Sequence, residues 1–559
     1  MVSRRSFLSR SVVGLLLPSV LARAATAEPV GDGESDGLPP LAHRVLSKLT
    51  FGPSERDSAR LQALGFDAFL EEQLDAPVED DEETAHRIGA AQLLLEVEAT
   101  DDRPARKEMR PLAFLSSKQR ELWERLDDKH GLSWAEKVRP LDEVKAAAWI
   151  RAVHSPYQLR EVLVDFWHNH FNICASSDEP IASLWPSHDR EVIRRHAFGN
   201  FRQFLGAIAR SPAMLLYLNN ASSKASPANE NFARELLELH TLGEACYFDH
   251  RYASWRDVPQ DGHGVATGYT DEDVFEVARA FTGWTIANGN ELDDGSKLPN
   301  TGAFHYLEAW HDPYQKRVLG VEFASHRPPM ADGEQVLDLL AAHPGTARHL
   351  ATKLCIRLVS DQPSAGLIDR VAEVWLAERE APDQIRRVVR EIARSAEFQE
   401  SWGGKVRRPH EVVVAFARGL SASVHPTPDL FWEVAQTGYR WFEWPAPNGH
   451  PDHAAAWLGT NSLLGGWKLL RDLTDPDRRD LRIAWRERTG SGTARQAIER
   501  WSRRLLGDAL SSDRCQALAA HVSGDGDGQQ EIDWSDADQV ERLQKAVALI
   551  AMLPEFLWR

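Results

Sequence analysis

Helical periodicity is clearest in the segment Asn229-Glu230-Asn231-Phe232-Ala233-Arg234-Glu235-Leu236-Leu237-Glu238-Leu239-His240-Thr241-Leu242-Gly243. Its residues Phe232, Leu236, Leu239 and Gly243 follow the i, i+4, i+7, i+11 spacing of one helix face. Asn229 is a good N-cap, and a glycine such as Gly243 is a typical helix end. The segment therefore predicts an amphipathic helix.

The same periodicity returns along most of the chain from Leu41 onward. It is found at 58–65, 142–153, 158–165, 189–208, 271–281, 333–342, 346–358, 365–377, 383–393, 409–420, 461–473, 494–506 and 536–553. Few windows alternate with period two, and Gly/Asn/Asp-rich stretches at 288–290 and 293–295 indicate a loop with room for a small hairpin. The predicted fold class is all-α (mainly helical): a large multi-helix globular array with long loops and at most a minor β-hairpin.

The N-terminus has the order of a secretory signal. Arg4 and Arg5 precede an apolar run at 12–21 and small residues at 22–27, and paired arginines are typical of twin-arginine export. We divide the chain into a signal peptide (1–27), a disordered linker (28–40), a main helical domain (41–475) and a C-terminal helical segment (476–559) that packs on it. The predicted location is the periplasm or cell surface of a bacterium. No later segment reaches the roughly 18 apolar residues of a membrane span, so no transmembrane segment is expected.

Composition limits the function classes. The chain has 559 residues, 43% of them hydrophobic, which is enough to bury a core. Its net charge of -18 becomes -22 without the four arginines of the signal peptide. Such a surface repels phosphate backbones, so we expect no nucleic-acid partner. Four cysteines are too few for a disulfide scaffold.

A histidine-rich segment is the first candidate site. It reads Asp165-Phe166-Trp167-His168-Asn169-His170-Phe171-Asn172. In a helix, Asp165 and His168 share one face and His170 turns away, whereas in an extended chain His168 and His170 share a face. Either arrangement offers imidazoles to a metal or to proton transfer. The alternative is a set of buried histidines, hydrogen-bonded within an aromatic core.

The helix at 229–243 is the second candidate. Its polar stripe of Asn231, Glu235 and Glu238, with Arg234 beside it, is either a solvated face or a metal or acid/base face in a cleft. The predicted catalytic residues are Asp165, His168, His170, Asn231, Arg234, Glu235 and Glu238. The predicted ligands of a divalent metal, which would be zinc, iron or manganese, are His168, His170, Glu235 and Glu238.

Other polar and aromatic motifs favour structural roles. Thr270 and Asp273 resemble a capping box. His343, His349 and Lys353 lie near a predicted helix start, and we expect them to cap the helix or to be solvated. Five tryptophans surround a Pro-rich stretch at 445–452, where core packing is favoured over a platform for sugar rings. They are Trp432, Trp441, Trp444, Trp457 and Trp467.

Several blocks together resemble the bacterial family called domain of unknown function 1800. They are 43–53, 166–171, 229–243, 268–270, 281–284, 311–320, 343–354, 407–409 and 447–457, and they span nearly all of the chain after the linker. The resemblance implies an exported, mostly helical protein, often encoded beside a second exported protein that is therefore a candidate partner. It implies no particular reaction. The stretch 244–263 is longer than the turn that the resemblance implies, so we expect a lid or an interaction loop there.

Two functions follow from these patterns. The first is an exported metal-assisted or acid/base enzyme, with its site between the His168/His170 segment and the Glu235/Glu238 helix. The second is a non-catalytic envelope protein that binds, or is a scaffold for, a glycan or other extracellular polymer or a partner protein. The first requires imidazoles and carboxylates to meet in one recess.

Overall fold

The described part of the chain comprises residues 38–99, 104–252, 254–524 and 526–559 of a computed structural model. The predicted signal peptide and linker residues 28–37 lie outside the described residues. Within these ranges, no helix combines the length and the apolar character that crossing a bilayer requires.

Helices dominate, which confirms the predicted fold class. The described residues form 26 α-helices: Leu41–Leu49, Glu55–Leu64, Phe66–Leu74, Glu82–Ala90, Gln119–Glu124, Trp134–His154, Gln158–His170, Glu179–Ser187, Phe201–Ala209, Pro212–Tyr217, Glu230–Glu235, Asp271–Ala280, Ala331–Ala342, Pro344–Leu358, Ala365–Ala377, Gln384–Arg394, Ala396–Glu400, Pro409–Gly419, Pro428–Ala435, Ala454–Trp457, Thr460–Asp472, Trp485–Thr489, Ala494–Leu506, Ser512–Val522, Ala537–Ala551 and Pro554–Leu557. Short 3-10 turns occur at Asp128–His130, Asn220–Ser222, Glu244–Cys246, Trp255–Asp257 and Glu308–Trp310.

The strands form small antiparallel pairs. The pairs are β1 (Gln92–Val97) with β2 (Arg106–Pro111), β3 (Trp284–Asn288) with β4 (Asn300–Tyr306), β5 (Lys316–Val318) with β6 (Val321–Phe323), and β7 (Ser423–Val424) with β8 (Leu481–Arg482). The predicted loop at 288–295 leads from β3 towards β4. The strands are a minor component, as predicted, and the described residues contain four such pairs rather than a single hairpin. Two of these pairs have strands of two or three residues, which is too short for a period-two pattern.

Local signals at helix ends are confirmed. Gly65 ends a helix with φ of 76°, a backbone region that favours glycine. Thr270 and Asp273 form the predicted capping box. The Asn229 side chain accepts a hydrogen bond from the backbone N–H of Asn231 at 3.0 Å. Short polar side chains thus fix where these helices start.

Two π-helical turns interrupt the α-helical pattern. One, Leu236–His240, continues the helix Glu230–Glu235, and the other is His188–Arg194. The first turn shifts the buried face, so that Leu237 and His240 are fully buried whereas Leu239, expected in the core, is partly exposed. Extra residues in a helical turn are rare and are frequent at functional sites.

One hydrophobic cluster runs from Val45 to Leu557 and includes helices from both predicted helical parts. The division at residue 475 stays a prediction. The last residues return to the centre of the molecule, where the backbones of Arg559 and Lys405 exchange two hydrogen bonds of 2.8 and 3.2 Å. The helix Gln158–His170 is buried along almost its entire length.

The Pro-rich, aromatic segment packs over the end of that central helix. The Asn169 side chain donates to the carbonyl of His450 at 2.9 Å and accepts from its backbone N–H at 2.7 Å. Trp441 and Trp457 are buried, so the favoured packing role is confirmed for them, whereas Trp432 is exposed. The segment therefore serves mainly to cover the central helix.

Candidate functional site

The central helix Gln158–His170 directs its three predicted site residues to different places. It is α-helical, so the extended alternative is wrong. Asp165 pairs with Arg408, His168 contacts Asp189, and the third, His170, contacts the π turn Leu236–His240. Since successive helical residues advance by about 100°, residues two apart point to opposite sides.

Asp165 is committed to a buried charge network. Its carboxylate pairs with Arg408 and lies 3.4 Å from His410 Nε2 and 3.7 Å from an Arg357 guanidinium nitrogen. Burial alone raises the pKa of Asp165, but Arg408, His410 and Arg357 outweigh burial and hold the pKa below its usual range. These contacts are those of a structural ion pair, which corrects the predicted catalytic role of Asp165.

His168 is a buried, hydrogen-bonded histidine. Its Nε2 lies 2.9 Å from Asp189 Oδ1, and the ring packs beside Trp185 and Phe442. Asp189 belongs to the second π turn, and its pKa, which burial raises, is held low by the hydrogen bond from His168 and by the charge of Arg194. The Nδ1 atom of His168 is buried and has no partner among the described residues. These contacts are those expected of the structural alternative for His168.

His170 belongs to a group that we call the imidazole cluster: His170, His240, His349 and Lys353. The His170 ring lies 6.2 Å from the His240 ring and 6.3 Å from the His349 ring. His170 Nε2 is 3.2 Å from the His240 carbonyl oxygen, and His349 Nε2 is 3.3 Å from that of Leu239. Lys353 follows one turn after His349 in the helix Pro344–Leu358. The cluster thus joins the central helix to the π turn.

Burial keeps these imidazoles neutral. Burial, reinforced by the charge of Lys353, lowers the pKa of His240 to about 3 and that of His349 to about 4. It also lowers the pKa of His170 well below its usual value. Burial lowers the pKa of Lys353 to about 8. The amine is therefore the cluster member whose charge changes just above neutral pH.

We expect His240→Phe to stabilise the protein. His240 is fully buried, and neither ring nitrogen has a partner among the described residues. Phenylalanine keeps an aromatic ring and removes two unsatisfied polar atoms, so the free energy of unfolding should rise by about 1 kcal/mol at pH 7. Urea unfolding measures this effect, with His453→Phe at an exposed position as the control. A less stable His240→Phe protein would mean that these nitrogens have a bonding role.

Glu235 and Glu238 form a carboxylate pair where the α-helix passes into the π turn. Both side chains are partly exposed, and neither makes a hydrogen bond or ion pair with a described residue. Burial raises the pKa of Glu235, and the negative charge of Glu238 raises it further, against a smaller opposing effect of Arg234. Glu235 therefore holds its proton to higher pH than an ordinary glutamate.

Each carboxylate raises the pKa of one tyrosine. Burial raises the pKa of Tyr217 to about 12, with contributions from Cys174 and Glu235. Burial and the charge of Glu238 raise the pKa of Tyr269. The buried hydroxyl of Tyr269 has no partner among the described residues, so it retains a free O–H donor near Glu238.

The other two predicted residues of this helix lie at its edge. Arg234 makes ion pairs with Asp271 at 3.1 Å and with Glu230 at 3.6 Å, which join the helix to Asp271–Ala280. Asn231 is exposed in the first turn. Arg234 thus positions the carboxylate pair's helix, whereas Asn231 is not brought into the site.

The four predicted metal ligands do not assemble. His168 is bound to Asp189, His170 faces a backbone carbonyl, and neither makes an ion pair with the carboxylate pair. Across the described ranges, no group of three or more His, Cys, Asp or Glu side chains is placed to hold a metal ion. The predicted ligand set is therefore corrected, because the helix turns His168 and His170 to opposite sides.

Sequence reasoning missed five residues that contact the predicted ones. His349 and Lys353 carried a usable signal, since their i, i+4 spacing places an imidazole and an amine on one helix face. Asp189, Tyr217 and Tyr269 carried none, because their proximity arises only from tertiary packing.

Fold and site define a large, mainly helical protein. Its carboxylate pair, Glu235 and Glu238, makes no ion pair with a described residue and lies next to the imidazole cluster in the chain. The family described as a protein of unknown function, DUF1800, matches residues 44–558. The chain belongs to this family, which confirms the resemblance of its sequence blocks. No curated protein and no solved structure matches the chain.

Proposed function

We propose that this protein is an exported enzyme that uses Glu235 and Glu238 for acid/base catalysis. The proposal does not include the metal-assisted form, which required His168 and His170 in the same recess, because these four side chains do not form a metal site. The observation that carries the proposal is the raised pKa of Glu235, a partly exposed carboxyl with no cation paired to it. A carboxyl group whose surroundings raise its pKa is the type of group that enzymes use as a general acid. Most buried carboxylates of this chain, such as Asp165 and Glu411, are instead neutralised by arginines.

In this proposal, Glu235 donates its proton to the leaving group, and the Glu238 carboxylate accepts a proton from the attacking group. Loss of the proton from Glu235 is opposed by burial and by like-charge repulsion from Glu238, and both raise the pKa of Glu235. Arg234, anchored by Asp271, holds the helix in register.

The export part of the proposal rests on the sequence of residues 1–27, with its paired arginines, apolar run and small residues. Residence in the periplasm or at the cell surface places the carboxylate pair in contact with extracellular material. A co-encoded exported protein remains the proposed partner. Fractionation of cells that express the full chain tests the location, with Arg4→Lys/Arg5→Lys as the export-deficient control.

A variant series tests the catalytic proposal. The exported protein is assayed on nitrophenyl glycosides, esters and phosphates and on peptides, together with Glu235→Gln, Glu238→Gln and Glu230→Gln. We expect turnover of one substrate class, about 100-fold slower in each of the first two variants, which is the range for loss of a general acid or base. Glu230→Gln, on the same helix but outside the pair, should match the wild type. Activity should fall as the pH rises through the pKa of Glu235.

The alternative non-catalytic role makes the opposite prediction. If no substrate class is turned over, or if Glu235→Gln and Glu238→Gln retain the wild-type rate, the acid/base proposal is wrong. Circular dichroism of each variant guards against loss of folding as the cause of inactivity.

A further inference from the structure

A groove of about 650 Å³ lies along the helix Asp271–Ala280, and its lining residues do not include Glu235 or Glu238. Its walls come from that helix, from β5 with β6, and from the long stretch 244–263 through Trp255 and Arg256. The volume lies within the range of small-ligand sites, about 300–1,000 Å³. The stretch expected to be a lid or interaction loop therefore supplies one wall of a binding groove.

The groove is charge-balanced. Its lining carries four carboxylates and four cationic side chains. Several neutralise each other directly: Arg317 lies 3.1 Å from Glu272, and Arg279 lies 2.8 Å from Glu276. A charged ligand would have to break these pairs, whereas an uncharged polar ligand can hydrogen-bond to their outer oxygen and nitrogen atoms.

The groove presents side-chain rather than backbone hydrogen-bonding groups to a ligand. The N–H of Arg317, on β5, donates to the Glu276 carboxylate at 3.0 Å, and the N–H of Leu319 donates to Asp273 at 2.8 Å. These backbone donors are therefore not free to pair with an added peptide strand, which is the usual way that a sheet edge captures a peptide.

An aromatic surface lies among these polar groups. The guanidinium groups of Arg317 and Arg256 stack on the Trp255 ring at 3.6 and 4.5 Å from its centre, which makes a flat wall. The lining also includes Phe275, a residue of the helix that is 47% exposed. A sugar ring has one apolar face and a rim of hydroxyl groups, and this combination matches an exposed ring surrounded by carboxylates and guanidinium groups.

We propose that this groove binds an uncharged oligosaccharide, with Phe275 stacking on a sugar ring and the paired carboxylates and guanidinium groups receiving its hydroxyl groups. The binding does not depend on catalysis at Glu235. The two are linked structurally, since Asp271 lines the groove and also pairs with Arg234 on the helix of the carboxylate pair.

The exported protein is first screened on an array of uncharged oligosaccharides. Calorimetry with cellohexaose, xylohexaose, chitohexaose and maltohexaose then measures the affinity and tests the proposal. We expect at least one to bind, and Phe275→Ala to weaken that binding about fivefold or more, as for loss of an aromatic stack. Phe275→Tyr keeps a ring and should retain the affinity within about twofold. Trp432→Ala, at an exposed tryptophan 64% accessible on another helix, is the matched control and should bind as the wild type does.

Absence of binding to every uncharged oligosaccharide on the array would overturn the proposal. Binding that Phe275→Ala leaves unchanged would also overturn it. The array also includes hexagalacturonate as a charged probe and peptides as polypeptide probes, and binding to these probes alone would overturn it as well. Calorimetry measures binding without turnover, so a negative binding result does not affect the acid/base proposal. A negative activity assay likewise does not affect the oligosaccharide proposal.

Discussion

Replacing Asp165 with alanine is expected to lower the free energy of unfolding by about 3–5 kcal/mol. The variant removes one of the two carboxylates of the described residues that the buried Arg408 and Arg357 share, and only Glu411 remains near both. A buried charge that loses its partner keeps the full cost of its desolvation, which is why this loss exceeds the net value of the ion pair itself. Asp165→Asn should lose a similar amount, because it also removes the negative charge.

Urea unfolding of purified protein measures the effect. If the variant does not accumulate in cells, a soluble yield below that of the wild type reports the loss of stability instead. Glu373→Ala is the matched control, since Glu373 is exposed on the helix Ala365–Ala377 and should change stability by less than about 0.5 kcal/mol. Equal stability of Asp165→Ala and Glu373→Ala would show that the network is not structural, and it would return Asp165 to the list of functional candidates.

Acidification from pH 7 to pH 5 is expected to destabilise the protein by several kcal/mol. Burial lowers the pKa of five imidazoles to about 3 or 4 in the folded protein, namely those of His43, His154, His188, His240 and His349. In the unfolded chain the same groups bind protons near pH 6.5. Stability is therefore fully present above about pH 6.5 and is lost as the pH falls towards the folded pKa values, at about 1.4 kcal/mol per histidine and pH unit.

The urea midpoint at pH 7, 6 and 5 measures this loss. His240→Phe should reduce the dependence on pH by about one proton, whereas His453→Phe, at an exposed position, should leave it unchanged. A urea midpoint that is constant from pH 7 to pH 5 would contradict the neutral, buried state of these histidines.

Much of the fold was predictable because its signals are local. Helix caps such as Thr270 with Asp273, and Gly65 at a helix end, depend on residues a few positions apart, and the structure confirms them. The short strand pairs were not predictable, since β5 and β6 have three residues each and their pairing is set by contacts with the helix Asp271–Ala280. The π turn at Leu236–His240 also escaped prediction, because a 3.6-residue period places Leu239 rather than His240 in the core.

The candidate site was predictable only in part. The residues Glu235 and Glu238 could be singled out from their i, i+3 spacing, whereas the raised pKa of Glu235 depends on burial in the folded protein and has no signal in the sequence. His168 and Asp165 could not be assigned from sequence, since Asp189 and Arg408, which bind them, are 21 and 243 residues away. A histidine's role depends on what its ring nitrogens meet, and that is decided by tertiary packing.

The carboxyl resonance of Glu235 provides the most direct measurement. Protein labelled with ¹³C at glutamate carboxyl groups is titrated, and the Glu235 signal is assigned by its absence from Glu235→Gln. The acid/base proposal requires a midpoint above the usual range of glutamate, and a lower midpoint when Glu238→Gln removes the neighbouring charge. A Glu235 midpoint within the usual range, or one that Glu238→Gln leaves unchanged, would contradict it.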